Sequence, residues 1–132
     1  MNNLETNISE DWYIVFIEST YDSWFMRRLQ PGFKHVYAMK KTEAGNFWQI
    51  VDPLRPHLKV YQELVSMYPH PRAFAGPDAI ILPITANIDR AGKVGTLSIF
   101  TCVDVVKALI GIRAPLVFTP WQLYKYIMRA KS

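Results

Sequence analysis

The alternation of hydrophobic and polar positions predicts a chain that begins with strands and ends with helices. Runs rich in aromatic and β-branched residues predict strands at 12–17, 34–41, 46–52 and 79–86. The middle two flank a polar turn at 42–45 and form a predicted hairpin. Pro83 interrupts the last run, and proline within a strand is typical of a sheet edge.

Three further segments have weaker patterns. Residues 57–65 fit a strand or a short helix, and the pattern favours the strand slightly. Residues 66–78 contain three prolines and a glycine and predict a loop. Residues 22–29 predict a short helical turn, and residues 114–118 a short strand or extended piece.

A helix that carries the only cysteine is predicted after a short apolar segment at 96–100. Thr101 and Asp104 have the spacing of a capping box, which makes Thr101 the predicted N-cap and Cys102 the first helical residue. Apolar residues at 102, 105, 106, 109 and 110 follow helical periodicity, so this face should pack inward. Gly111 is the predicted helix stop.

A second capping box predicts the start of the final helix. Thr119 and Gln122 have the required spacing, and Pro120 stands at the first helical position, where proline is favoured. The predicted apolar stripe of this helix consists of Leu123, Tyr124, Ile127 and Met128.

Strands outnumber helices, so the predicted class is α+β, an antiparallel sheet packed against the central cysteine-bearing helix. The length of 132 residues is that of one domain. We expect a flexible N-terminus at 1–11, because that segment is polar, and a single domain at 12–132.

Composition narrows the class of protein. Half of the residues are hydrophobic and a fifth are charged, as in globular proteins. A single cysteine excludes an intrachain disulfide framework and a cysteine-cluster zinc site, which fits a reducing compartment. The net charge of +4 is spread along the chain, so nucleic acid is not expected as a partner. No signal peptide and no apolar run of membrane-spanning length is present, so neither secretion nor membrane insertion is expected.

Cys102 is the first candidate for chemistry. The positive end of the helix dipole favours the thiolate, which is the nucleophilic form of cysteine. The alternative is that Cys102 is a small buried apolar residue, a common role for cysteine.

His35 and Asp52 are the candidate base and orienting group. If Lys41 pairs with Asn46 across a four-residue loop, His35 lies directly opposite Asp52 with Cβ atoms about 5 Å apart. A three-residue loop with Gly45 in the left-handed region would instead place Asp52 opposite Val36. Asp52 could also be a turn residue before Pro53, and His35 a half-buried strand residue.

The other polar candidates are less well placed. His57 or Gln49 would take the orienting role if Asp52 faced the other side of the sheet. His70, in a proline-rich loop, is expected at the surface. One cysteine and three scattered histidines lack metal-ligand spacing, so no metal or other cofactor is expected.

The order of histidine, carboxylate and helix-opening cysteine resembles that of circularly permuted papain-like cysteine hydrolases of the NlpC type. Four blocks of the chain resemble small phage-encoded proteins of similar length: 32–37 (GFKHVY), 48–53 (WQIVDP), 101–107 with 111–113 (TCVDVVK, GIR) and 119–124 (TPWQLY). The resemblance implies nucleophile, base and orienting roles for Cys102, His35 and Asp52. It assigns no oxyanion side chain, because the glutamine that classical members place ahead of the cysteine has no counterpart here.

Two functions follow from these observations. The first is a phage-encoded cysteine peptidase, amidase or esterase that cleaves a peptide, amide or ester through a Cys-His-Asp triad. The second is a non-catalytic virion or assembly adaptor on the same fold, with phage or host proteins as partners. Either would act in the cytoplasm of the infected cell or in the virion. Trp12, Trp24, Trp48 and Trp121 could line a substrate groove or a partner interface equally well.

Overall fold

The computed structural model describes residues 9–18, 29–54, 57–87, 101–114 and 116–131. Its five strands are β1 (Ser9–Ile17), β2 (His35–Lys41), β3 (Phe47–Leu54), β4 (His57–Leu64) and β5 (Ile80–Asn87). The three helices are α1 (Pro71–Ala75), α2 (Thr101–Ile110) and α3 (Pro120–Lys131). The fold is therefore α+β, as the sequence predicted.

The strands form one antiparallel sheet in the order β4-β3-β2-β1-β5. The first four strands follow one another as a meander, and β5 returns to pair with β1. Pro83 lies on β5, so the edge position predicted from this proline is confirmed. The segment 57–65, for which strand was only slightly favoured, contains β4, the opposite edge.

Two segments differ from the predicted boundaries. Strand β1 begins at Ser9 rather than at residue 12, because 9–11 pair with β5 and Thr85 donates a hydrogen bond to Asp11. The predicted loop at 66–78 contains α1, which begins where the His70 imidazole accepts a hydrogen bond from the backbone N–H of Arg72. His70 is exposed, as expected. The expected helical turn at 22–29, apart from residue 29, and the apolar segment 96–100 lie outside the described residues.

The sheet is covered on both sides. On one face, helices α2 and α3 pack against the inward residues of the strands, among them Ile14, Phe16, Val36, Ala38 and Val51. On the other face, α1 and the segment around it cover a second cluster that includes Val15, Tyr37, Met39, Trp48 and Ile50. Adjacent residues of β1 and β2 thus alternate between two apolar layers.

Helix α2 buries most of its predicted inward face. Cys102, Val105, Val106 and Ile110 are buried, but Leu109 is only partly buried, and Val103, outside the predicted face, is fully buried. The helix ends at Ile110, before Gly111, whose φ is +75°. The backbone N–H of Ile112 donates to the carbonyl of Lys107, the hydrogen bond of a Schellman C-cap. The side chain of Thr101, the predicted N-cap, lies outside the described residues.

The capping box of α3 is present in full. The backbone N–H of Gln122 donates to the Thr119 hydroxyl, and Gln122 Oε1 accepts from the backbone N–H groups of Thr119 and Phe118. Leu123 and Ile127 are buried, but Met128 is 42% exposed, so its place in the predicted stripe is wrong. The predicted extended piece at 114–118 contains a turn and no strand in its described part.

Candidate functional site

The β2–β3 hairpin brings His35 and Asp52 together in a register that differs from both predictions. Ala38 pairs with Val51 and Lys41 with Trp48, so Asp52 is in line with Tyr37 and diagonal to His35. The direct opposition of His35 and Asp52 is therefore wrong. The turn closes one residue later than expected, with the Thr42 N–H donating to the Phe47 carbonyl and Gly45 at φ +79°.

A register shift of two residues keeps Asp52 on the face that His35 occupies, because strand side chains alternate with a period of two. Diagonal neighbours are within reach of long or aromatic side chains. His35 Nε2 lies 2.6 Å from Asp52 Oδ1, and the two side chains are only 13% and 17% exposed. The predicted contact between the His35 and Asp52 side chains is thus present in the structure.

Cys102 reaches the same imidazole from the other layer. Its side chain belongs to the apolar cluster under α2 and is 7% exposed, yet it lies close enough to His35 to raise the pKa of the imidazole. By alternation His35 points toward the α1 face, whereas α2 covers the opposite face. His35 is the first residue of β2, and Cys102 lies in the first turn of α2, so each stands at the start of its element.

The electrostatics of this cluster favour a protonated imidazole. Burial by itself would lower the pKa of His35, but hydrogen bonds to Asp52 and Cys102, together with their charges, raise it from 6.5 to about 9. At neutral pH His35 is therefore an imidazolium between a carboxylate and a sulfur.

Two tyrosines that the sequence did not single out complete the surroundings of Asp52. Burial, then the charges of Tyr61 and Asp52, raises the pKa of Tyr37, whose ring centroid is 6.3 Å from that of His35. Burial and the Asp52 charge also raise the pKa of Tyr61. Tyr37 follows His35 by two residues, so strand alternation could have identified it. Tyr61 could be identified only if residues 57–64 were assigned to a strand, β4.

Of the two alternative orienting residues, only Gln49 has a described side chain. Gln49 pairs with Lys40 and lies on the opposite face from Asp52. The side chain of His57 lies outside the described residues. Of the four tryptophans, Trp12 and Trp48 are buried in the two cores, Trp121 is half-buried, and Trp24 lies outside the described residues. Trp12 and Trp48 therefore line no open groove.

Lys107 holds the end of the cysteine helix in place. Its ammonium group donates to the carbonyls of Ala114 (3.0 Å) and Val117 (2.8 Å) and lies 3.6 Å from Asp104 Oδ1. These hydrogen bonds link α2 to the segment that leads into α3. Both helices pack against the same face of the sheet. Asp104 thus forms an ion pair one turn into the helix.

A cavity of about 610 Å³ lies at the opposite end of α2. It is lined by residues of β5 and of the C-terminal ends of α2 and α3, including Ile84, Ile110, Arg113 and Tyr126. None of Cys102, His35 and Asp52 lines it. We therefore identify the candidate site by its polar cluster and not by this cavity.

The described residues contain neither a candidate metal-binding cluster nor a candidate membrane-spanning helix. Among those residues, no three His, Cys, Asp or Glu side chains are grouped closely enough to bind a metal ion. No described helix combines the length and apolar character needed to cross a membrane.

Comparison with known proteins gives no relative. No protein-family model, no curated protein and no solved structure matches this chain.

Proposed function

We propose that the chain is a cysteine hydrolase in which Cys102, His35 and Asp52 are nucleophile, acid–base group and orienting group. The observation that carries the proposal is the imidazole of His35, which hydrogen-bonds to Asp52 at 2.6 Å and lies close enough to Cys102 for the sulfur to raise its pKa. A nucleophile beside a base that a third group orients is the arrangement used in covalent acyl transfer.

The reaction proceeds in two steps. His35 holds the proton of the Cys102 thiol as an imidazolium, and the thiolate attacks the carbonyl carbon of an amide or ester. When the tetrahedral intermediate collapses, the C–N or C–O bond breaks, His35 protonates the leaving group, and an acyl thioester remains. A water molecule, deprotonated by His35, then attacks the thioester, releasing the carboxylic acid and the thiol.

The raised pKa of His35 suits the first step. An imidazolium at neutral pH is a proton donor for the leaving amine or alcohol, and Asp52 stabilises its charge. With Nε2 bound to Asp52, Nδ1 is the nitrogen that exchanges the proton with sulfur. Backbone N–H groups at the start of α2 supply part of the oxyanion hole.

The papain-like relationship and the phage setting form part of this proposal. They are supported by the order of the three residues and by the four sequence blocks alone. On this view the sheet and α2 correspond to the permuted papain-like arrangement, and the protein acts in an infected cell or in a virion.

A second candidate function is a non-catalytic adaptor in a phage particle or its assembly. The observation that favours it is the burial of Cys102, which is 7% exposed within an apolar cluster. In an adaptor the cysteine fills space in the core, and His35 and Asp52 form a structural ion pair.

Thiol chemistry separates the two functions. In a hydrolase, iodoacetamide should alkylate Cys102 in the folded protein at pH 6, because His35 holds the thiol proton. His35→Gln should then shift the alkylation profile to higher pH, whereas His70→Gln, the matched control at an exposed histidine, should leave it unchanged. An adaptor should be alkylated only as fast as it unfolds, with no dependence on His35.

Acyl transfer itself can be tested with p-nitrophenyl acetate. We expect a burst of nitrophenolate and one acetyl group on Cys102, detected by peptide mass spectrometry and absent from Cys102→Ala. Asp52→Asn should reduce the burst rate while leaving the fold intact, because the imidazolium loses its carboxylate partner. A folded protein with no burst and no acetylated cysteine would favour the adaptor.

A further inference from the structure

The outer edge of β4 is an eight-residue strand that no other described strand covers. An uncovered edge presents unpaired backbone donors and acceptors, which another strand can use. None of residues 57–64 is a proline, which would lack a backbone N–H for such pairing.

The backbone groups that face outward can be identified from the inner ladder. The Val65 N–H donates to the Asn46 carbonyl, and hydrogen-bonded pairs recur at every second residue of an antiparallel ladder. Residues 59, 61 and 63 therefore direct their backbone groups toward β3. Val60, Gln62 and Leu64 direct theirs outward.

The side chains at this edge also leave an apolar surface open. Val60 is 53% exposed and Leu64 45%, and both share with Phe47 the sheet face that α2 covers farther in. On the α1 face, Lys59, Tyr61 and Glu63 follow one another in alternation.

We infer that β4 pairs with β4 of a second copy, antiparallel, about a two-fold axis at Tyr61. A two-fold axis perpendicular to the sheet keeps each face continuous, so only residues on the same face can be opposed. In the register centred on Tyr61, Lys59 lies opposite Glu63 of the second copy, and Glu63 opposite Lys59. The strand is thus complementary to itself in charge, and the partner is identified as this same chain.

The proposed β4–β4 register agrees with the direction of the backbone N–H and C=O groups of β4. Val60 and Gln62, whose backbone groups face outward, would form the hydrogen-bonded pairs across the axis. Lys59 and Glu63 would fall in the non-hydrogen-bonded pairs, where side chains approach more closely. The ten-stranded sheet that results has no free β4 edge.

Sedimentation velocity from micromolar to near-millimolar concentration tests the inference. We expect the wild-type chain to change reversibly from monomer to dimer. Glu63→Lys places two lysines opposite each other twice in the dimer, and should raise the dimer dissociation constant at least about tenfold. The double variant Lys59→Glu with Glu63→Lys restores opposite charges and should restore the dimer. Glu43→Lys, the same charge change on the exposed β2–β3 turn, should have no effect.

Gln62→Pro tests the backbone part independently. It removes one outward N–H and leaves the hydrogen bonds to β3 unchanged, so the monomer should fold and the dimer should be lost. A wild-type chain that stays monomeric throughout the range overturns the inference. So does a dimer that survives Gln62→Pro or that the double charge exchange does not restore. The hydrolase proposal does not depend on any of these outcomes.

Discussion

His35 is the residue on which the candidate site depends, and its charge links the site to folding. Its pKa rises from 6.5 to about 9 on folding because the favourable contacts with Asp52 and Cys102 outweigh the cost of burial. A group whose pKa is raised on folding stabilises the folded state at a pH below its unfolded pKa. That stabilisation is lost as the pH rises through the folded pKa.

We therefore predict that the wild-type chain loses its stability advantage over His35→Gln between pH 6.5 and 9. The loss is at most about 3 kcal/mol, from 1.36 kcal/mol per pKa unit. Urea unfolding of both proteins at several pH values measures the difference. Cys102→Ala should narrow the window, since one of the two contacts that raise the pKa is removed. A difference that does not change with pH would contradict a raised pKa.

Helix α2 is the element that positions the sulfur, and Lys107 links its C-terminal half to the segment that leads into α3. The Lys107 ammonium satisfies two backbone carbonyls and the Asp104 carboxylate, and the Lys107 and Asp104 side chains are largely buried. Removing one partner of a buried ion pair leaves the other charge without compensation.

We predict that Lys107→Met lowers the free energy of unfolding by about 3 kcal/mol. The double variant Asp104→Asn with Lys107→Met should lose less, because no carboxylate is then left unpaired. Lys125→Met, at an exposed lysine of α3, is the matched control and should change stability little. Denaturant unfolding measures all three. An equal loss in Lys107→Met and in the double variant would show that the Asp104 pair contributes nothing.

At the scale of the whole molecule, the sheet has a protected centre and exposed edges. Strands β1 and β2 each have a paired strand on both sides. They also lie between the two apolar clusters, so packed side chains cover both of their faces. Among the described strands, β4 and β5 have a neighbour on one side only.

We predict that amide hydrogens of Ile14, Val15, Val36 and Ala38 exchange only through global unfolding, as measured by hydrogen–deuterium exchange with NMR detection. The outward amides of Val60, Gln62 and Leu64 should exchange fastest within the sheet at low protein concentration. In the β4-paired dimer they should become protected at high concentration. Protection of these amides that is independent of concentration would mean that another part of the same chain covers the edge.

Local rules determined much of this protein from its sequence. The end of α2 at Gly111, the capping box of Thr119 and Gln122, and the edge position of Pro83 each depend on residues a few positions apart. The strand period of two also predicted that His35 and Asp52 share a face, and this outcome survived a register shift of two residues. Backbone geometry and side-chain alternation act at short range, so a sequence pattern can express them.

The tertiary structure alone decided the contacts between layers. The pairing register followed from a turn that closes between Thr42 and Phe47, one residue later than the pattern indicated. The nearness of Cys102 to His35 depended on how α2 packs against the sheet. The hydrogen bonds of Lys107 to the segment before α3 and the exposure of Met128 likewise depended on how α2 and α3 pack. Such contacts join residues that are far apart in the chain, and their energies depend on the packing of whole elements, which no local pattern contains.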